Sequence, residues 1–337
     1  MRWNGEHRRH RLCMVALVVA WALLAAACTP AVDRDPHVSA THRAIGVENV
    51  RILGASPEAI VPSPSGRQML YTGWSGSTLV SYVVDLDSGQ NTLVHAGPIA
   101  GADWTPDGQA LVVSHWSPGA RSMLADRISL FDLRDRSWRD ITPSYRYLYG
   151  VPSVSPDGHR VIVTAADGDP MVDLAAALAG QRSNPTQFFA AEFFIGSSGF
   201  IRTFRDVLVT SPNAFHPSGD RFVGMYRSAS SVSRSGVAEV DLISGDRTNR
   251  TPLLWSLRNV GYSPDGAYVI YSARYDDDPS HVFVLDRTGS GPIALTTGNT
   301  ANRNPSWSAD GYVYFFSDAG SVGNTRRITV WRLRPTL

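Results

Sequence analysis

The 337-residue chain contains no lysine, and this absence excludes several kinds of active site. All 31 of its basic residues are arginines. A phosphate-binding loop ending in Gly-Lys-Ser/Thr, a Schiff-base lysine and a Ser-x-x-Lys nucleophile each need the amine that is missing. The sequence therefore argues against a P-loop enzyme and against catalysis through lysine.

Cysteine is almost as scarce, since Cys13 and Cys28 are the only two. Both lie in the first 28 residues, so the remainder of the chain has no disulfide to stabilise it. Its stability has to come from packing, and the 43% of hydrophobic residues are enough for a substantial core.

The only long apolar run, Leu12 to Ala27, is too short for a permanent membrane helix. It has about sixteen residues, whereas a spanning helix needs roughly twenty. Small residues end it just before Cys28, and Glu6 is the one acid in a preceding segment that contains Arg2, Arg8, Arg9 and Arg11. This order predicts an export signal over residues 1–27. A short membrane anchor is the alternative, and the Arg8-Arg9 pair leaves twin-arginine export open beside the general pathway.

The segment LLAAAC, which ends at Cys28, resembles the lipobox of bacterial lipoproteins. The resemblance implies that Cys28 is lipidated and becomes the first residue of an exported protein, anchored to the outer face of the cytoplasmic membrane or on the periplasmic side of the envelope. Residues 28–43 are polar and contain proline, and we interpret them as a flexible tether. Without residues 1–27 the chain has 27 arginines and 29 acids, which argues against a nucleic-acid partner.

A turn followed by an apolar strand recurs along residues 44–337. The six copies are PSPSGRQMLYTG, WTPDGQALVVSH, VSPDGHRVIVTA, FHPSGDRFVGMY, YSPDGAYVIYSA and WSADGYVYFFSD. Their turn glycines lie 42 to 61 residues apart, at Gly66, Gly108, Gly158, Gly219, Gly266 and Gly311. Gly accepts the positive φ of a tight turn, and the preceding Asp can bond to nearby amides, so we assign a structural role to Asp107, Asp157, Asp265 and Asp310.

The strands that follow these turns are apolar on both faces, as in Val161-Ile162-Val163. Such strands are covered on both sides. A second hairpin follows each first one, as in ISLFDLRDRSWRDIT, so each unit has four strands. Four strands at a period of about forty to fifty residues predict the blade of a β-propeller.

The pattern resembles the TolB-like β-propeller and its PD40 (WD40-like) repeat, whose hallmark is Trp-Ser-Pro-Asp-Gly before an apolar strand. The resemblance covers about 290 residues and implies an all-β, six-bladed propeller of four-stranded antiparallel blades over residues 44–337. The last unit lacks an outer strand, and Val47 to Leu53 has no unit of its own. We therefore expect Val47 to Leu53 to complete the last blade and close the ring.

No catalytic, metal-binding or cofactor-binding residue is predicted. The segment Gly73-Trp74-Ser75-Gly76-Ser77 misses the spacing of a hydrolase elbow. The histidines fall in different blades, at His95, His115, His159, His216 and His281, and convergence on the axis stays open. Asp276-Asp277-Asp278 could hold a hard cation, but a solvated loop is the simpler interpretation.

Loops between the second and third strands of each blade are the better candidates for a binding surface. All of them emerge on one rim, and the third blade has the longest, with a predicted short helix over Asp173 to Ala179. Aromatic residues and arginines are typical binding anchors. The candidate rim residues are Trp74, Trp116, Arg227, Arg274 and Tyr275, although packing between blade tops is the simpler interpretation of them.

Two functions follow from these observations. The first is a binding platform for a protein or peptide of the cell envelope, with a monomeric, membrane-tethered body, as the resemblance to TolB-like propellers implies. The alternative is an enzyme that acts on carbohydrate or peptide at the central channel, as a metal-assisted lyase or hydrolase.

Overall fold

A computed structural model describes residues 37–38, 44–50, 57–75, 78–118, 120, 122, 124–179, 186–228, 231–275, 278–288, 291–319 and 328–337. The predicted signal segment and Cys28 lie outside these ranges, as do Asp276 and Asp277. None of the helices in the described ranges has the length and apolar character needed to cross a membrane.

The described chain consists of β-strands and one helix. The strands are β1 His37–Val38, β2 Ala44–Val50, β3 Pro57–Pro62, β4 Gln68–Ser75, β5 Thr78–Asp85, β6 Asn91–His95, β7 Ile99–Trp104, β8 Ala110–His115, β9 Arg127–Asp132, β10 Trp138–Asp140, β11 Leu148–Val154, β12 Arg160–Asp167, β13 Gln187–Phe194, β14 Arg202–Arg205, β15 Val207–Leu208, β16 Arg221–Ser228, β17 Ser231–Asp241, β18 Arg247–Asn249, β19 Leu254–Tyr262, β20 Tyr268–Arg274, β21 His281–Asp286, β22 Pro292–Ala294, β23 Thr296–Thr297, β24 Asn302–Trp307, β25 Val313–Ser317 and β26 Thr329–Pro335. The helix α1 spans Pro170–Leu178, which confirms the predicted helix in the third blade.

The strands pair into four-stranded antiparallel sheets, which we call blades. In chain order they are β3–β6, β7–β10, β11–β14, β15–β18, β19–β22, and β24–β26 with β2. The fourth and fifth blades are also joined to each other through β17 and β19. Each blade contacts the next, and the last contacts the first through β24 and β3. The prediction of an all-β propeller of four-stranded blades is confirmed.

The last blade takes its outer strand from the beginning of the propeller. Strand β2 pairs antiparallel with β26, with Ala44 opposite Pro335 and Val50 opposite Val330. The prediction that this segment closes the ring is confirmed, although the strand covers residues 44–50 and residues 51–53 lie outside the described ranges. Strand β1, inside the predicted tether, pairs with β23, so two tether residues lie on the propeller body.

Alternate residues of the second strand in a blade pack against opposite neighbours. In β12, Ile162 packs with Phe222 of the fourth blade. Val161 and Val163 instead pack with Val112 of the second blade. All three β12 residues are fully buried, and each such side chain contributes about 1.5–3 kcal/mol of burial free energy. A blade without two neighbours would expose one of these faces.

Buried hydrogen bonds join neighbouring blades close to the axis. The carboxylate of Asp103 in the second blade accepts the N–H of Val154 in the third, with 2.7 Å between O and N. Burial raises the pKa of Asp103 well above its usual range. In the same way, Thr164 Oγ1 in the third blade accepts the N–H of Val209, 2.8 Å away, at the end of the inner strand of the fourth. These bonds satisfy backbone groups that the sheets themselves leave unpaired.

The turn glycines adopt the predicted conformation. Gly108 and Gly158 have φ of 68° and 73°, and the other four repeat glycines have φ between 72° and 87°. Asp107 accepts the N–H of Gln109 at 3.0 Å and the hydroxyl of Thr105 at 2.6 Å. Asp265 accepts the corresponding bonds from Ala267 and Ser263. The repeated motif is therefore a turn stabilised by its own carboxylate.

We predict that a chain that begins at residue 51 will be less stable than one that begins at residue 44. Loss of the seven residues of β2 leaves β26 as an unpaired edge. Several backbone hydrogen bonds, each worth about 1 kcal/mol, are lost, so the melting temperature should fall by at least about 5 °C. Calorimetry of the two chains tests this, and equal melting temperatures would show that β2 does not close the ring.

We also predict that turn carboxylates contribute to stability in an acid-sensitive way. Hydroxyl and backbone hydrogen bonds lower the pKa of Asp107 and Asp265. A carboxyl group with a lowered pKa stabilises the fold above the unfolded value of about 3.9, and this contribution is lost as pH falls through the folded values.

The double variant Asp107→Asn, Asp265→Asn should therefore lose less stability than the parent protein between pH 5 and the acid limit of folding. Urea unfolding midpoints across this range measure the effect. The control is Asp246→Asn, an exposed turn residue whose carboxylate accepts no hydrogen bond in the described ranges. Parallel pH profiles for parent and double variant would contradict the prediction.

Candidate functional site

The inner strands of the blades surround an axial cavity of about 710 Å³. Residues of β3, β7, β11, β15, β19 and β24 line it, so every blade contributes to the wall. The cavity opens at the end where inner strands begin and where the loops between second and third strands emerge. We call this end the channel mouth.

The opposite end is narrowed by the turns of the repeats. Prolines of five turns line a second cavity of about 260 Å³ there, namely Pro64, Pro106, Pro156, Pro217 and Pro264. The Asn213 side chain reaches from the fourth blade to the last and donates to the carbonyl of Trp307 at 2.9 Å. It passes Gly261 of the fifth blade, where an added Cβ would lie 3.1 Å from the Cβ of Asn213. The larger of the two cavities therefore lies toward the channel mouth.

Aromatic and basic side chains line the channel mouth. Trp116 and Phe188 contribute aromatic surface, and Arg227 and Arg258 contribute charge. The guanidinium of Arg227 lies 5.7 Å from the ring centre of Phe188, within the range of a cation–π contact. The indole N–H of Trp116 donates to the carbonyl of Ser122 at 2.9 Å, which fixes the orientation of the ring.

The inner strands of the fifth and last blades are irregular at the channel mouth. Ser256, Asn259 and Asn304 line the cavity and have φ of 51°, 49° and 53°. Register shifts interrupt β19 on both sides of Arg258 and interrupt β24 between Arg303 and Ser306. Such bulges redirect side chains, and left-handed backbone at residues other than glycine costs on the order of 1–3 kcal/mol. Strands β19 and β24 therefore have an energetically unfavourable backbone conformation in the wall of the cavity.

The cavity has no acidic side chain and no histidine among its described lining residues. Within the described ranges, moreover, no group of three or more His, Cys, Asp and Glu residues could hold a metal ion. The described wall offers cationic, amide, hydroxyl and apolar groups.

No protein-family model matches the sequence, and no curated protein matches it. Solved structures do resemble it. TolB from Acinetobacter baumannii is 19% identical, with a TM-score of 0.54 over 73% of this chain and 55% of that one. A putative TolB from Agrobacterium tumefaciens is 16% identical, with a TM-score of 0.55 over 74% and 81% of the two chains.

The chain has a TolB-like β-propeller fold. It spans only 55% of the Acinetobacter protein's length. A structure of oligogalacturonate lyase from Vibrio parahaemolyticus is also similar, at 12% identity and a TM-score of 0.57 over 88% of this chain and 97% of that one. At these identities the likeness shows the fold alone.

The TolB-like propeller brings together only two of the five predicted rim residues in the cavity wall, Trp116 and Arg227. Tyr275 points instead into the fifth blade, where its ring packs against Phe283 with centres 4.8 Å apart and its hydroxyl meets that of Tyr271. Arg274 donates to the carbonyl of Asp278 at 3.2 Å. Trp74, at the end of β4, is 41% exposed and is not part of the described cavity wall.

A second aromatic and basic cluster adjoins the TolB-like propeller's mouth; of its residues the sequence analysis named Arg274 but not Trp255 or Arg234. Trp255 is 39% exposed at the start of β19, with Arg234 and Arg274 opposite it on the two adjacent strands. The guanidinium of Arg234 lies 4.5 Å from the Trp255 ring centre. The sequence does indicate the place of Trp255, because LLWSLRN lies shortly before the fifth turn, where the repeat puts an inner strand.

The histidines of the TolB-like propeller do not converge on the axis. His95 and His115 lie together between the first two blades, with ring centres 5.6 Å apart, and both contact Trp138. Burial lowers the pKa of His115, which bonds to Ser129 at 2.9 Å. His216 bonds to Ser218 in the fourth turn, and His281 is buried beside Thr296. His115, His216 and His281 are thus packed and hydrogen-bonded, whereas His95 is held by ring contacts and its buried Nδ1 has no hydrogen-bond partner in the described ranges.

Proposed function

We propose that this chain is a lipid-anchored, extracytoplasmic propeller that binds a protein or peptide of the cell envelope at its channel mouth. The observation that carries the proposal is the cavity of about 710 Å³, which is lined by aromatic, basic and apolar side chains. Pockets with rigid aromatic anchors beside arginine are typical of binding hot spots.

The proposed location rests on the N-terminal sequence and on the fold. Basic residues, a short apolar run and the small residues before Cys28 have the order of a lipoprotein signal. The similar solved structures include TolB proteins, so the fold is consistent with a protein-binding role. We propose a monomeric body that acts without a cofactor and has no nucleic-acid partner.

The alternative function is that of an enzyme that cleaves carbohydrate or peptide in the channel. The likeness to an oligogalacturonate lyase over nearly its full length is the observation in its favour. Against it, the described cavity wall has no carboxylate or imidazole to act as general acid or base. Binding is therefore the function that the geometry supports better.

We predict that Cys28→Ala will release the protein from the membrane. The parent protein should incorporate an alkyne-tagged fatty acid and partition into detergent, because an acyl chain on Cys28 provides the anchor. The variant should do neither. Cys13→Ala is the matched control, since it keeps the cysteine at the predicted cleavage site. Lipid labelling of the Cys28 variant would contradict the anchor.

The binding function is tested by site-specific photo-cross-linking in cells. A photoreactive phenylalanine analogue at Trp255, beside the channel mouth, should form a covalent adduct with a discrete envelope protein. The control is the same analogue at Phe194, which is 50% exposed at the end of the propeller where the repeat turns lie. It should form no such adduct.

The captured protein should then bind the purified chain, and the substitution pair Trp116→Ala, Trp255→Ala should weaken that binding at least about tenfold. Equal cross-linking from both positions would contradict the assignment of the mouth. Cleavage of oligogalacturonate by the purified chain would favour the enzyme.

A further inference from the structure

The described wall of the axial cavity contains two arginines and no acidic side chain. Arg227, at the end of β16, and Arg258, in β19, are both exposed and line the same cavity. Neither forms an ion pair or side-chain hydrogen bond with a residue in the described ranges. Arg160, by contrast, pairs with Glu192, with 3.0 Å between Nη1 and Oε1. Both arginines therefore line the cavity without an acidic partner, and the guanidinium of Arg227 contacts the ring of Phe188.

Guanidinium groups select carboxylates. Their planar set of N–H donors matches the two oxygens of a carboxylate, and such charge-assisted pairs are stronger than neutral hydrogen bonds. The partial enclosure of the cavity strengthens the attraction relative to open solvent. The charge of the mouth therefore favours a ligand that carries carboxylates.

The rest of the mouth suits an extended peptide better than a chain of sugar acids. Leu257, Val151 and Ile99 form apolar wall beside Trp116 and Phe188, and this surface can accept apolar side chains. Asn304 Oδ1 is buried at the wall and has no hydrogen-bond partner in the described ranges. An unpaired buried acceptor requires a donor, and a peptide N–H supplies one. A sugar hydroxyl can also donate to Asn304, but every further hydroxyl of a sugar ring needs a polar partner, which the apolar part of the wall does not offer.

We propose that the channel mouth binds an acidic peptide segment, with Arg227 and Arg258 pairing its carboxylates and Asn304 accepting one of its backbone N–H groups. This inference rests on the proposed function and adds the chemical class of the ligand. It also assigns roles to Arg258 and Asn304, which lie outside the loops between second and third strands.

Two pools of fluorescent peptides test the inference on the full chain purified in detergent. One pool is random in sequence and enriched in Asp, Glu and apolar residues, and the other has Asn and Gln in place of Asp and Glu. The acidic pool should bind at least about tenfold more tightly, and its binding should weaken as salt is added. Fluorescence anisotropy gives both affinities.

The variants Arg227→Gln and Arg258→Gln should each weaken binding of the acidic pool about tenfold. Their affinity for the pool with Asn and Gln should stay the same as that of the parent protein. Arg205→Gln is the matched control, because Arg205 is an exposed arginine of β14, outside the cavity, without an ion pair in the described ranges. Asn304→Asp should also weaken the acidic pool, because it places a carboxylate in the mouth. Circular dichroism melting confirms that each variant is folded.

Equal affinity for the two pools, equal loss in Arg205→Gln, or binding of neither pool would overturn the acidic-peptide assignment. The proposed function would still stand in these cases if the photo-cross-linked envelope protein bound the parent chain. Tight binding of oligogalacturonate, without binding of the acidic pool, would support recognition of carboxylates by the two arginines. It would overturn the assignment of the ligand as a peptide, because the carboxylates would belong to a saccharide.

Discussion

Each blade has to be covered on both faces, and this constraint governs the rest of the structure. The second strands bury alternate residues against opposite neighbours, as Ile162 does toward the fourth blade and Val161 toward the second. A stack of such blades that stopped anywhere would expose an apolar face. The chain avoids this by curving into a ring, and the contact of β24 with β3 together with the pairing of β2 with β26 completes it.

A closed ring of this kind necessarily has an axis, and the two ends of that axis differ. At one end the repeated turns bring prolines together and Asn213 crosses to Trp307. At the other end the inner strands begin, and bulges there tilt polar and charged residues into the opening. The repeat that stabilises the fold thus narrows one end, and the larger cavity lies toward the other. Function is assigned to the end whose sequence differs from blade to blade.

The repeated features could be predicted from the sequence because they depend on local chemistry. Glycine after aspartate favours a turn, and the apolar runs after it indicate strands that are covered on both sides, so the blades could be predicted. The closing strand followed from the missing outer strand of the last unit, and helix α1 followed from the composition of the third-blade insertion. The channel mouth was predicted only in part. Of the residues chosen by loop position, Trp116 and Arg227 line the cavity, whereas Tyr275 turns inward to Tyr271 and Phe283.

The positions of Arg258 and Asn304 in the cavity wall could not be predicted from their residue types. Whether an inner-strand side chain faces the axis or a neighbouring blade depends on the register shifts in β19 and β24, and these are set by packing between blades rather than by local sequence. Trp255 is the exception, because its place in an inner strand follows from the repeat.

Hydrogen exchange of the full chain, alone and with its captured envelope partner, tests whether the partner binds at the channel mouth. We expect that protection on binding is confined to the first residues of inner strands β7, β19 and β24 and to the adjoining ends of β16 and β20. Protection centred on the turns at Gly66, Gly108, Gly158, Gly219, Gly266 and Gly311, with an unchanged channel mouth, would contradict it.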